Sequence, residues 1–386
     1  MVERGGVAPV ISGTGISQVG RRTGISALEL TVQAARAAIV DAGLVPAEID
    51  DIITLGDTPP AAAAASLGIA INDPPTKPIG NSGLLTPVTQ AYDAVRAGRA
   101  RHVLVYRTVQ MMGGTVDSVP KSAGKSGGNA MPGADEISYL LAAHAYSAAN
   151  WLAMHCRKHM DRYGTTKEQL GWIAINARRN AADNPLAVYR TPITMADYLE
   201  ARPISSPFGL LDCDVPVDGS IAVVVSYAAH AANTPRGAVT IEATGGAPGS
   251  GSWFNRPDYP KMSATDAAVD MWSRTTLKPA DVDIAQLYDG FSFLTLAWLE
   301  ALGFCGDGEG GAFVEGGQRI ARDGQLPLNT YGGQLSAGRM HGYWVLHEAI
   351  QQLRGCAGPT AIPKRPEVAV VSAGGGPIAG CVLLSC

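Results

Sequence analysis

An α/β protein built from two similar halves is the fold class this sequence predicts, and three observations carry the prediction. First, LVPAEIDDIITLGD (44–57) recurs as LKPADVDIAQLYDG (277–290), with Pro46 matching Pro279 and Asp50 matching Asp283 at an offset of 233 (279 − 46). Second, the chain beyond each copy repeats too: a Gly turn, a helical pattern and an apolar strand run from Gly80 to Tyr106 and again from Tyr331 to Val371. Third, the strands are continuous apolar runs, the mark of strands buried on both faces. A repeated unit of this kind cannot cover its apolar face alone, so two copies stack. Residues 1–235 then form an N-terminal half with an insertion at about 108–205, and 236–386 a C-terminal half. Ligand sites in such folds lie beyond strand ends and between domains, so the two Gly turns are expected to meet at one site.

Taken in order, Val7 to Thr14 is a short apolar strand. The GTGISQVG that overlaps its end lacks the spacing of a dinucleotide fingerprint, and no acidic residue follows at the required distance. Ser26 to Ala42 has helical periodicity (Leu28, Leu30, Ala34, Ala35, Ile39), with Ser26 as N-cap and Gly43 as the terminating glycine. Ile52 to Leu55 is a buried strand, and Ala61 to Ala65 a small-residue helix that permits close packing. A Gly-punctuated turn, Lys77 to Gly83, leads into a helix from Leu84 to Gly98 and a strand from Val103 to Tyr106.

From Thr108 to Asp135 the composition turns to Met and Gly, including Met111 and Met112. A loop of this length is usually functional. It is expected to close over the site and to line an acyl pocket or a partner surface, since Met adapts to bulky apolar groups. One helix is predicted from Glu136 to Tyr163. His155 and His159 sit in it at metal-ligand spacing, but Arg157 and Lys158 lie between them and no carboxylate cluster joins them, so no metal is assigned. A helix over Thr165 to Ala182, a strand over Ile221 to Ser226 and a linker over His230 to Gly237 complete the first half.

The densest chemistry lies in YGGQLSAGRMHGYW, Tyr331 to Trp344. Glycine lets backbone approach a ligand, and a helix N-terminus offers free N–H groups. Arg339, His341 and Tyr343 crowd ionisable groups onto that turn, and the helix behind it keeps apolar residues at i, i+3, i+4 and i+7.

Composition sets the outer limits. Apolar residues make up 46% and charged residues only 17%, a low-charge surface that suggests an oligomer. A net charge of −4 without basic clusters argues against nucleic acid. No apolar run reaches membrane-span length and no secretory h-region opens the chain, so a cytoplasmic protein without a membrane role is expected. The six Cys (Cys156, Cys213, Cys305, Cys356, Cys381, Cys386) show no CxxC spacing and read as reduced thiols.

The ordered motifs NSGL (Asn81 to Leu84), DGS (Asp218 to Ser220), LYDGF (Leu287 to Phe291), GGQLSAGR (Gly332 to Arg339) and SAGGG (Ser372 to Gly376) resemble those of the thiolase superfamily. The resemblance spans nearly the whole chain, and its branch is that of sterol-carrier-protein-type thiolases and their aldolase relatives. It implies a thiolase-like fold, two pseudo-symmetric α/β halves in five αβαβα layers. The departures from the family pattern are chemical. The family's nucleophilic Cys falls on Gly80 or Asn81, its Asn or His on Tyr288, its Gly-His-Pro histidine on Arg339, and its second Cys on Ser372. Covalent acyl transfer through a thiol is therefore not expected.

This pattern is similar to steroid side-chain-cleaving aldolases of thiolase fold, which implies retro-aldol cleavage of a bulky β-hydroxyacyl-CoA to a ketone and a short acyl-CoA such as propanoyl-CoA. The resemblance also implies a homodimer, paired near residues 77–85, and a zinc-ribbon/OB-fold acyl-CoA-binding partner. No cofactor is expected beyond the CoA thioester that is the substrate. The chemistry needs a base for the β-hydroxyl, donors for the enolate and an acid for the α-carbon. Tyr288, Tyr343, His341 and Arg339 are the candidate catalytic residues. Gly80, Asn81, Met111, Met112, Gly332, Ser372 and Gly375 are the candidate substrate-binding ones. One Tyr is expected to act as base and the other as donor or acid. A thiolase with a displaced catalytic Cys and a non-catalytic, partner-binding subunit are the competing readings.

Overall fold

The computed structural model describes residues 8–55, 58–71, 83–112, 134–247 and 252–386. Gly80 and Asn81, most of the expected dimer segment and residues 113–133 of the Met/Gly-rich stretch lie outside them.

The first half opens with β1 (Val10–Ile16), α1 (Ala27–Asp41), β2 (Asp51–Thr54), α2 (Pro60–Leu67), α3 (Thr86–Arg96) and β3 (His102–Gln110). As the capping signals predict, the Ser26 hydroxyl accepts the Glu29 N–H at 3.2 Å, and Gly43 ends the helix region with φ +71°. The strand at 102 continues to Gln110, beyond the expected Tyr106, because β6 (Asp218–Ser226) pairs with it along its full length. Between them lie α4 (Ala134–Ala142), α5 (Ala148–Tyr163), α6 (Lys167–Asp183), α7 (Met195–Leu199) and a small hairpin, β4 (Pro203–Ser205) with β5 (Phe208–Gly209). The single helix expected over 136–163 is thus broken. His144 takes a left-handed φ of +60°, and Ser147 restarts the chain as an N-cap. His155 and His159 do not converge on a shared ligand: His155 Nδ1 lies 3.0 Å from the Pro260 carbonyl, and His159 Nε2 3.1 Å from Glu300.

The second half contains β7 (Val239–Gly246), α8 (Ser263–Trp272), β8 (Ile284–Gln286), α9 (Ser292–Ala301), α10 (Gly310–Val314), α11 (Tyr343–Leu353), β9 (Val368–Gly375) and β10 (Ile378–Ser385). The repeat read from the sequence is visible in the strand order, β2-β3-β6-β1-β7-β10-β9-β8. In each half a parallel pair (β2/β3, β8/β9) is followed by antiparallel neighbours (β6 then β1, β10 then β7). The two four-stranded halves are not separate sheets, however. They join edge to edge where Val10 faces Thr240 and Ile11 faces Val239.

Five layers result. Outer helix α1 lies on β1 and β6, so close that a Cβ on Gly15 would sit 2.3 Å from the Ala34 carbonyl. Outer helix α8 meets β7 in the same way, a Cβ on Gly245 falling 2.1 Å from the Ala267 carbonyl. The inner helices are α3 and α11. Every residue of α11 except Gln351 is buried, because the helix packs on β8 and β9 from one side and on β1 and β6 from the other. Among the described residues no helix is long and apolar enough to cross a membrane.

Candidate active site

Two loops of the second half converge beyond the ends of β8 and β9. The first carries Tyr288, whose N–H donates to Ser372 Oγ at 3.0 Å on β9. Next to it the fully buried Asp289 receives the N–H groups of Gln334 (2.8 Å) and Leu335 (3.4 Å), which belong to the second loop. Only glycine fits at 333: its φ is +62°, and a Cβ would lie 1.9 Å from Asp289 Oδ2. The second loop makes one π-helical turn over Gly333–Ala337, passes Arg339, turns left-handed at His341 (φ +48°) and Gly342 (φ +86°), and enters α11 at Tyr343.

A third segment, Cys213 to Val215, ties the two loops together. The Asp214 N–H donates to the Gly290 carbonyl at 3.2 Å, the Val215 N–H to the Gln334 carbonyl at 2.9 Å, and the Arg339 N–H to the Val215 carbonyl at 2.8 Å. Arg339 also holds Asp214 through Nη1, at 3.2 and 3.3 Å from the two carboxylate oxygens, and its Nε lies 3.2 Å from Met111 Sδ.

Electrostatics assigns protonation states. His341 Nδ1 lies 2.6 Å from Arg107 Nη2. Burial, with Arg107 and Arg339 nearby, holds His341 well below its usual range, so the ring is neutral. Its Nδ1 then accepts from Arg107, and the remaining proton sits on Nε2. Burial pushes the Tyr288 phenol up; the charge of Asp214 adds to the shift and that of Arg339 opposes it. Burial likewise pushes Tyr343 up, against Arg107. Both phenols are neutral donors at physiological pH. The Tyr343 hydroxyl and both ends of the Gln334 amide are buried without a hydrogen-bond partner among the described residues. Gln334 is also close enough to act on the Tyr288 phenol.

The structure thus brings Tyr288, Tyr343, His341, Arg339 and Met111 into one region. Met112 lies beside it, its N–H on Asp218 at 3.0 Å and its sulfur 3.9 Å from Arg21. Ser372 spends its hydroxyl on the Tyr288 backbone. Gly332 (φ +108°) makes its close approach to Ala181 on α6, and Gly375 (φ +154°) to Leu294 on α9. Asp214, Arg107 and Gln334 were not among the expected site residues. Gln334 sits inside the GGQLSAGR motif, and Asp214 four residues before the DGS motif, whereas nothing around Arg107 marks it.

A cleft of about 310 Å³ opens beside this region, lined by Arg21, Arg178, Tyr189, Cys213, Asp214 and Leu335 among others. Arg21 and Arg178 each stand over the Tyr189 ring, 5.8 and 5.3 Å from its centroid. Cys213 is the thiol nearest the chemistry, and burial with Asp212 and Asp214 pushes it up to about 12. Cys381 and Cys156 are buried in the core with thiols pushed up by burial. A thiolate nucleophile has no support at any of the three.

Half-sheets joined in pseudo-symmetry, five layers and two second-half loops converging beyond the strand ends define a protein of thiolase fold. Residues 232–383 match the thiolase C-terminal domain-like family. The chain is 34% identical over 394 aligned positions to a steroid side-chain-cleaving aldolase of Thermomonospora curvata, covering 97% of each. It is 34% identical over 387 positions to a 17-hydroxy-3-oxo-4-pregnene-20-carboxyl-CoA lyase of Mycobacterium tuberculosis, covering 97% of this chain and 98% of that one. A solved structure described as Ltp2-ChsH2(DUF35) aldolase superposes with a TM-score of 0.87 at 30% identity, covering 98% of both chains. The chain belongs to the family of steroid side-chain-cleaving aldolases of thiolase fold.

Proposed function

We propose that this chain is a carbon–carbon lyase that cleaves a bulky, steroid-type β-hydroxyacyl-CoA by retro-aldol reaction, releasing a ketone and a short acyl-CoA such as propanoyl-CoA. One observation supports the reading: two buried phenols held neutral, Tyr288 and Tyr343, sit on the two loops beyond the ends of β8 and β9, and none of the six Cys lies on either loop. Retro-aldol cleavage needs hydrogen-bond donors for the thioester oxygen that becomes the enolate, and it needs no covalent nucleophile. Tyr343, with an unpartnered hydroxyl, and the Gln334 amide supply donors that a ligand oxygen would satisfy. Tyr288 is the second phenol donor, steadied by Ser372 through the backbone. Neutral His341 presents Nε2–H, and Arg339 supplies positive charge at the edge of the site.

The cleavage involves no net oxidation or reduction, and the reading assigns no metal or cofactor. It includes a cytoplasmic homodimer that works with a zinc-ribbon/OB-fold acyl-CoA-binding partner. The two-part description of the similar aldolase structure supports that partnership. The reading is tested by incubating the protein, alone and co-expressed with such a partner, with β-hydroxyacyl-CoA thioesters. A ketone and a shortened acyl-CoA by mass spectrometry are expected. Acyl exchange with free CoA that iodoacetamide abolishes would instead identify a thiolase.

A further inference from the structure

The lyase reading leaves the base unassigned. Both phenols are held neutral, and the Nδ1 of His341 is already occupied by Arg107. Four buried carboxylates and the partly exposed Asp214 surround the two loops. Asp212 accepts from Tyr198, Ser292, the Gly209 N–H and Lys167. Asp218 accepts from the Thr23 and Met112 N–H groups. Asp289 takes the Gln334 and Leu335 N–H groups, and Glu348 is held by Thr330, Gln352 and Thr360. Of these five, only Asp214 lines the cleft, and its one side-chain partner is Arg339.

We infer that Asp214 is the group that takes the β-hydroxyl proton in this cleavage, with Arg339 holding its carboxylate at the junction of the two catalytic loops. The inference rests on the lyase reading above. The geometry supplies what a base requires. The Asp214 backbone is bonded to Gly290, two residues beyond Tyr288, and the next residue receives the Arg339 N–H. The carboxylate is therefore fixed relative to both loops while one face meets the cleft.

The step balances without any further reactant. The Asp214 carboxylate removes the β-hydroxyl proton, and the oxygen's electron pair forms the ketone C=O. The Cα–Cβ bond breaks, its electrons entering the thioester as an enolate whose oxygen the phenols and Gln334 hold. The proton gained by Asp214 then returns, directly or through Tyr288, to the α-carbon. The products are ketone and acyl-CoA, and the carboxylate is regenerated.

The groups facing Asp214 are Arg339 from the turn before α11, Tyr288 and Asp289 from the loop after β8, Cys213 on its own segment, and Arg21 and Arg178 across the cleft. Burial raises Asp214 to about 6, against the pull of Arg339. A base in that range is ionised at neutral pH and still a far better proton acceptor than an ordinary carboxylate.

The test uses the intact protein with any partner that copurifies, assayed for acyl-CoA release between roughly pH 5 and 9. In the wild type kcat/KM should fall about tenfold per pH unit below about 6. Asp214→Asn should lose roughly 10²- to 10⁴-fold in kcat with an unchanged thermal midpoint, and Asp214→Glu should recover part of it with a displaced acid limb. Asp214→Asn within about threefold of wild type, or a wild-type profile flat through that range, overturns the inference while leaving the lyase reading standing. Should the Asn variant fail to fold, Asp214→Glu decides: an acid limb displaced from that of the wild type supports the inference, and an unmoved limb with wild-type kcat overturns it. A wild type that releases no ketone sinks the lyase reading and this inference with it.

Discussion

The Tyr343 hydroxyl is buried with no hydrogen-bond partner among the described residues, and an orphaned donor of this kind destabilises the fold by roughly 1–3 kcal/mol. Such a group persists where a ligand satisfies it. Tyr343→Phe and Tyr288→Phe each remove one O–H and almost no volume. Each is expected to lower cleavage by roughly 10²- to 10⁴-fold, read by initial rates, while Tyr343→Phe leaves the melting temperature unchanged or higher. Because burial holds both phenols above their ordinary value near 10, the rate should stay level on the alkaline side to about pH 9. A basic limb near neutrality would contradict neutral donors. These two Tyr were legible in the sequence because each lies on a motif. Asp214 and Arg107 were not: their partners Arg339 and His341 lie 125 and 234 residues away, and no local pattern announces a pairing at that distance.

Among the elements, the π-helical turn at Gly333–Ala337 depends on its first residue. Gly333→Ala would place a methyl group against Asp289 and force a left-handed alanine, a strain of about 1–2 kcal/mol before the clash is counted. The Gln334 and Leu335 N–H groups would leave Asp289, so the variant should lose both melting temperature and cleavage rate, whereas Gly237→Ala, with nothing near its Cβ, should cost only the backbone strain. Differential scanning fluorimetry beside rate measurements separates the two. Helix starts and stops were readable where a cap residue marked them, as at Ser26 and Gly43. The break between α4 and α5 was not, because the Ala- and Tyr-rich composition runs through it unchanged and the interruption rests on one left-handed residue, His144.

Across the molecule, the two half-sheets separate beyond Ile11, and Arg354 at the end of α11 occupies that point. Its guanidinium, 1% exposed, donates to the Ile11 and Ser12 carbonyls at 3.3 and 2.8 Å and to Asp41 at 2.6 Å. Arg354→Ala leaves Asp41 to the Thr14 N–H and the more distant Arg236 and removes a donor from two carbonyls, and should cost roughly 1–3 kcal/mol in denaturant unfolding. The site lies at the other end of α11, so a change in KM without loss of stability would contradict this placement. The repeat made two related halves legible, but not that their sheets share an edge, since only two residue pairs make that contact.

The place of α11 also fixes when this protein can finish folding. The inner faces of β1 and β6 are complete in the chain by Ser226, yet part of their cover, α11, ends only at Leu353, 127 residues later (353 − 226). At synthesis rates of about 5–20 residues per second, that apolar surface waits roughly 6–25 s on the ribosome. Chains stalled at Gly338 should therefore be protease-sensitive and chaperone-bound, and chains released after Leu384 compact, so that the helix that opens the active site is also among the last pieces to close the core.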